Sequence, residues 1–176
     1  MSKYENIVPN DSVTSNHFSY HDASIEIVAD SAYYANYPNW QFFSNKPYGC
    51  STNTNPPPHY VGIKSNIPLI IDRFEFTACY DMVAMTVKDF KIESSMDGET
   101  WDTVYTGVIP NTDFYTQVCE FEPIICKYIR FVQVSTYDYR GYKWFDGGNV
   151  KIYGTLAGPL LYTDKDAYGI PKGKWW

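Results

Sequence analysis

Apolar and polar residues alternate along much of this chain. In SIEIVAD (24–30), HYVGIK (59–64), LIIDRFEFT (69–77) and DFKIESS (89–95), Val, Ile, Phe, Tyr and Thr recur between turn-forming Gly, Pro, Asn and Asp. The same holds for WDTVY (101–105), TQVCEFE (116–122), KYIRFVQVS (127–135) and NVKIYG (149–154). A period of two predicts strands in all of them. No segment keeps a helical period over three turns, so the expectation is an all-β sandwich or barrel. The stretch between the first two strands is dense in Pro, Asn and aromatics. It predicts a long irregular connection with one short buried element around Trp40, Phe42 and Phe43. Residues 1–22 are polar and mixed, and are expected to form an N-terminal arm lying on the surface or on a partner. The sandwich is expected over 23–155, and residues 156–176, with two Pro, as an extended C-terminal tail. Trp175 and Trp176 then need cover, from the domain itself or as assembly contacts on a neighbour.

Length and composition narrow the function classes. A chain of 176 residues suits one domain with a proper core. The net charge of -6 and the lack of a basic run argue against nucleic acid, whose binding needs Lys and Arg against phosphates. They also argue against an anionic membrane surface. No stretch near the start has signal-peptide length, and none reaches membrane-spanning length. We therefore expect a protein that stays where it is made or leaves inside an assembled particle. Cys50, Cys79, Cys119 and Cys126 form no C-x-x-C pair, and are expected as free, partly buried thiols.

Catalytic chemistry finds little support. His17 and His21 have i, i+4 spacing, but their surroundings are not helical and no Glu lies between them. DKDAYG (164–169) starts like a calcium loop, yet Tyr168 and Trp175 stand where oxygen donors belong. His59 opens a strand without a recognisable nucleophile, and no carboxylate pair stands out. The expectation is no enzyme and no cofactor. The 18% aromatic content, with 17 Tyr and 5 Trp, suits either β-structure or a recognition surface. TYDYRGYKWFDGG (136–148) is the informative stretch, with Asp138, Tyr139, Arg140, Tyr142 and Trp144 in a connection between strands. Flat aromatic faces beside Arg and Asp fit a pyranose, which offers a C–H face for stacking and hydroxyls for hydrogen bonds. The other reading is that these rings pack against the tail or a neighbouring subunit.

Ser95, Asp97, Gly98 and Trp101 in DFKIESSMDGETWDTVYTG, then Tyr128, Ile129 and Arg130 in KYIRFVQVS, precede a closing NVKIYG. This order resembles the discoidin family, also called the coagulation factor V/VIII type C domain, and its relatives the family-32 carbohydrate-binding modules. YPNWQFFSN (37–45) and HYVGIKSNIPLIIDRFEF (59–76) extend the likeness to about residues 22–155. The resemblance implies a discoidin-like, eight-stranded jelly-roll sandwich, usually non-catalytic, with its ligand loops at one end. It implies that Trp101 enters the core, where truncation to Ala would cost about 3–5 kcal/mol. It places the ligand loops at 31–39, 78–87 and 136–147. These add Tyr33, Tyr34, Tyr37, Tyr80 and Asp81 to the candidate carbohydrate contacts. Many relatives hold a calcium ion through an Asp and a Glu that correspond here to Ser44 and Asn149. The loss of both carboxylates predicts no calcium, with a hydrogen bond between Ser44 and Asn149 instead.

The function expected from all this is a non-catalytic binding module for cell-surface glycans. The missing secretion signal suggests a component of a phage or virus particle, such as a capsid decoration or a tail or fibre adhesin. The alternatives are a purely structural virion protein that binds other subunits, and an accessory carbohydrate-binding module of an enzyme complex. The initiator Met and the end at Trp176 lead us to expect a free-standing chain rather than that last alternative.

Overall fold

The computed structural model describes residues 3–30, 38–45, 49–51, 57–78, 87–112, 114–137 and 145–158. Its strands are β1 (Glu5–Asn6), β2 (His17–Tyr20), β3 (Ala23–Ala29), β4 (Gly49–Ser51), β5 (His59–Ala78), β6 (Asp89–Ser95), β7 (Asp102–Val108), β8 (Thr116–Gln133) and β9 (Phe145–Leu156). All the strand pairings are antiparallel. The only helical piece among the described residues is a 3-10 turn, Asn39–Phe43, which buries Phe42 and Phe43 as the sequence predicts.

Two pairs of expected strands are continuous. The runs at 59–64 and 69–77 form one strand, β5, and those at 116–122 and 127–135 form β8. The register between them breaks from Lys64↔Tyr128 to Leu69↔Cys126. There the two long strands bend out of one layer and into the other. Before the break β5 pairs with β3, and after it with β9. The order β2-β3-β5-β8-β6-β7 thus forms one layer, and β9-β5-β8, with β1 and β4 on β9, the other. Pro68 sits in the break, where a missing N–H costs no ladder bond. A Pro and polar Ser65-Asn66 hide the continuity in sequence because they look like a turn.

The core is a slab of Phe rings joining the layers. Phe76 stacks on Phe131 with centroids 4.3 Å apart, and Phe131 on Phe90 at 4.8 Å. Phe145 lies 5.2 Å from Phe42. All but Phe90 are fully buried, and Phe90 is only 2% exposed. Burial of this size is the main favourable term of the fold.

Three expectations change. Residues 3–22 are part of the sandwich rather than a separate arm. β1 pairs with β9, β2 pairs with β3, and Ile7, Val8 and Val13 are buried in the core. Three apolar residues spread among Asn, Pro and Ser show no period, so the sequence conceals them. Trp101 does not enter the core. It is half-buried on the outer face of the first layer, 3.6 Å from the Arg130 guanidinium, with Tyr128 edge-on at 6.1 Å. Strand β7 begins only at Asp102, so Trp101 stands before the alternating pattern and its indole lies over Tyr128 and Arg130 of the interior strand β8. Finally, β9 starts at Phe145, so the last residues of the expected loop 136–147 are strand.

Candidate functional site

Three segments that the sequence marks as ligand loops leave the same rim of the sandwich. β3 ends at Ala29, opposite Val61 near the start of β5. His59 at that start is paired with Gln133 at the end of β8, which also faces Phe90 at the start of β6. In the other layer, Ala78 at the end of β5 faces Gly147 at the start of β9. The Phe76–Phe131–Phe145 stack brings these ends together beneath the rim. Gly147 is required here, because a Cβ would come within 2.0 Å of the Phe76 ring. Asp30 and Pro38 therefore flank one segment, Ala78 and Val87 a second, and Tyr137 and Phe145 a third.

Each root is pinned by polar contacts. Asp30 Oδ2 lies 2.7 Å from Nδ1 of His59, and Asp30 Oδ1 accepts the Tyr60 N–H at 3.0 Å. Burial pushes the Asp30 carboxyl up, but these bonds outweigh it and leave it below its usual value. His59 is 2% exposed, so the pair is a clasp between β3 and β5 and not an open acid–base centre. Asp89 and Ser135 share three hydrogen bonds: the carboxylate accepts from the hydroxyl, the Asp89 N–H donates to that hydroxyl, and the Asp89 carbonyl accepts the Ser135 N–H at 3.1 Å. Val87 bridges Thr136, and the Tyr137 hydroxyl donates to the Ile109 carbonyl at 2.9 Å. These clasps are not legible in the sequence, because each joins residues distant along the chain.

Tyr34, Tyr37, Tyr80, Asp81, Asp138, Tyr139, Arg140, Tyr142 and Trp144, with Tyr33, lie outside the described residues. So do the assembly candidates Trp175 and Trp176. Among the described residues, a cavity of about 460 Å³ lies along the N-terminal segment, lined by Asn6, Asn10, Asp11, Ser12, Asn45 and Lys151 among others. Its described lining offers no aromatic face for a sugar ring.

The calcium positions of the family also resolve differently. Ser44 Oγ donates to the Gln41 carbonyl at 2.9 Å, and Asn149 Oδ1 is buried with no partner among the described residues. The expected Ser44–Asn149 bond is therefore not what bridges the two segments. Calcium needs six to eight oxygens, several of them carboxylate. Here the nearby Phe43 and Val150 carbonyls already accept from the Asn10 amide nitrogen. Among the described residues no three His, Cys, Asp or Glu side chains cluster to hold a metal. Among the described residues the donors at this place are one unpartnered amide oxygen and two carbonyls already bonded to Asn10, a set that lacks the carboxylates calcium favours.

Cys119 and Cys126 are buried free thiols, and burial pushes both up to about 12. They are inert at neutral pH.

Known structures share this architecture. The CBM32-3 module of a family 31 glycoside hydrolase from Clostridium perfringens is 19% identical, over 74% of this chain and 91% of that one, with a TM-score of 0.64. Chitosan-binding module 1 of a chitosanase/glucanase from Paenibacillus sp. IK-5 is 17% identical, over 86% and 100%, with a TM-score of 0.63. The family 32 module of NanJ from C. perfringens, solved with galactose, is 11% identical over 73% and 93%, with a TM-score of 0.59. No curated protein matches the chain in sequence. Residues 26–145, which run from β3 through the aromatic-rich third segment to the first residue of β9, match the F5/8 type C domain, and the chain belongs to that family.

Proposed function

We infer that the chain is a non-catalytic carbohydrate-binding module whose contacts come from the segments 31–37, 79–86 and 138–144. The observation that carries this reading is the convergence of their roots on one rim. The sequence places Tyr34, Tyr37, Tyr80, Asp81, Asp138, Tyr139, Arg140, Tyr142 and Trp144 on those segments. Aromatic faces with Arg and Asp at their edges suit a sugar ring. Similar modules solved with galactose, or named for chitosan binding, support the ligand class.

The test is a glycan array with the full chain and with Trp144→Ala. Wild type should bind a defined set of glycans, and the variant should lose binding at an unchanged melting temperature. A silent array would overturn the reading, and retained binding by the variant would remove residues 138–144 from the site.

A second setting is favoured by the similar structures that belong to enzymes, a glycoside hydrolase and a chitosanase/glucanase. In that setting the module would tether a catalytic domain to its polymer. Attachment of a particle to a host glycan uses the same rim, and the two settings differ in whether Trp175 and Trp176 bind other particle proteins.

A further inference from the structure

Two backbone carbonyls converge between the 3-10 turn and β9, those of Phe43 and Val150. One side-chain nitrogen answers both: Asn10 Nδ2 donates to Phe43 O at 2.7 Å and to Val150 O at 2.8 Å. Phe43 directly precedes Ser44, and Val150 directly follows Asn149. These are the two positions at which the family's calcium carboxylates are missing. Converging carbonyl oxygens repel one another and require a positive partner, either a hard cation or a pair of N–H donors.

The orientation of the amide is fixed. Its nitrogen faces two acceptors, and its oxygen accepts from Asn6 Nδ2 at 2.7 Å. Asn6 is held in turn, since its Oδ1 accepts the N–H groups of Val8 and Ile152. The backbone carbonyl of Asn10 also accepts the Asn45 N–H at 3.2 Å. Asn10 is only 8% exposed, so little solvent competes for these bonds. A calcium ion at the same carbonyls would meet the amide hydrogens head-on.

We propose that the Asn10 amide takes the place of the cation, so that the fold is independent of calcium and residues 6–13 are the part that makes it so. The proposal does not rest on glycan binding.

The experiment is thermal melting of the full chain in EDTA and in millimolar calcium chloride, for wild type, Asn10→Ala and Asn10→Asp. Wild type should melt at one temperature in both buffers. Asn10→Ala, which leaves two buried carbonyls without a donor, should melt about 4–10 °C lower in both. Asn10→Asp sets carboxylate oxygens against those carbonyls. It should fall in EDTA and recover in calcium but not in magnesium, which demands a stricter shell. A calcium-dependent rise of several degrees in wild type would overturn the proposal. So would Asn10→Ala melting like wild type, or Asn10→Asp unmoved by calcium. Should the variants not fold, calorimetric titration of wild type with calcium decides: no binding heat supports the proposal and saturable heat contradicts it. Glycan binding by wild type in EDTA separates this result from the functional reading.

Discussion

The β6–β7 turn and the seam around Asn10 are both polar, and both hold strands in place, but over very different distances. In the turn, Ser95 Oγ accepts the Asp97 and Gly98 N–H groups, and Asp97 Oδ1 accepts those of Glu99 and Thr100. Trp101 Nε1 closes it on the Gly98 carbonyl at 3.2 Å. Everything lies within seven consecutive residues. In the seam, the Asn10 and Asn6 side chains reach partners 33, 140 and 146 residues away. A local motif can fail and leave the layers standing. A seam that joins the N-terminal segment, the 3-10 turn and β9 releases all three when it fails. The one controls how a strand turns; the other controls whether the sandwich closes.

Four perturbations break or sharpen this contrast. The largest effect belongs to the seam. Asn10→Ala should cost about 2–4 kcal/mol in chemical denaturation, since two buried acceptors lose their donor. Hydrogen exchange should show Ile7 and Ile152 losing protection together. Trp101→Ala comes next, at about 1–2 kcal/mol, for the lost contact with Arg130 and a half-covered indole. A loss of 3–5 kcal/mol there would instead return Trp101 to the core. Gly98→Ala should cost about 1 kcal/mol, because φ is +82° and the new Cβ would meet the Tyr128 ring at 3.0 Å. An unchanged denaturation midpoint would show that the turn relaxes freely.

The smallest effect is a pH dependence. Hydrogen bonds from the Thr100 and Glu99 N–H groups, then from the Ser95 hydroxyl, hold the Asp97 carboxyl down to about 2 from 3.8. The folded value lies below the unfolded one, so the stabilisation is present above about pH 4 and is lost as pH falls towards 2. The melting difference between wild type and Asp97→Ala should therefore shrink between pH 4 and pH 2. A constant difference would mean that the carboxylate charge plays no part in the turn.

The same contrast explains how much of the molecule could be read from its sequence. Ser95, Asp97, Gly98 and Trp101 carry a local pattern, and the turn is where that pattern puts it. The strands 24–30 and 89–95 also appear nearly as expected, because alternation is local. Trp101's depth was not legible, since depth depends on Arg130 and Tyr128 from another strand. Asn10, His59 and Asp89 were silent for the same reason. An Asn that bridges β9 has no neighbour in sequence to announce it. The run at 136–148 pointed to a candidate ligand segment through its composition. Only its roots, Tyr137 and Phe145, tie it to the described rim.

The most direct test of glycan binding at the rim uses the five indoles of the chain as reporters. Titrating ¹⁵N-labelled protein with a galactoside and with a chitosan oligosaccharide should move the Trp144 indole signal saturably with one of them. The Trp101 indole, locked between Arg130 and the Gly98 carbonyl, should stay in place. A Trp144 signal unmoved by both sugars, or a shift at Trp101 alone, would contradict the account.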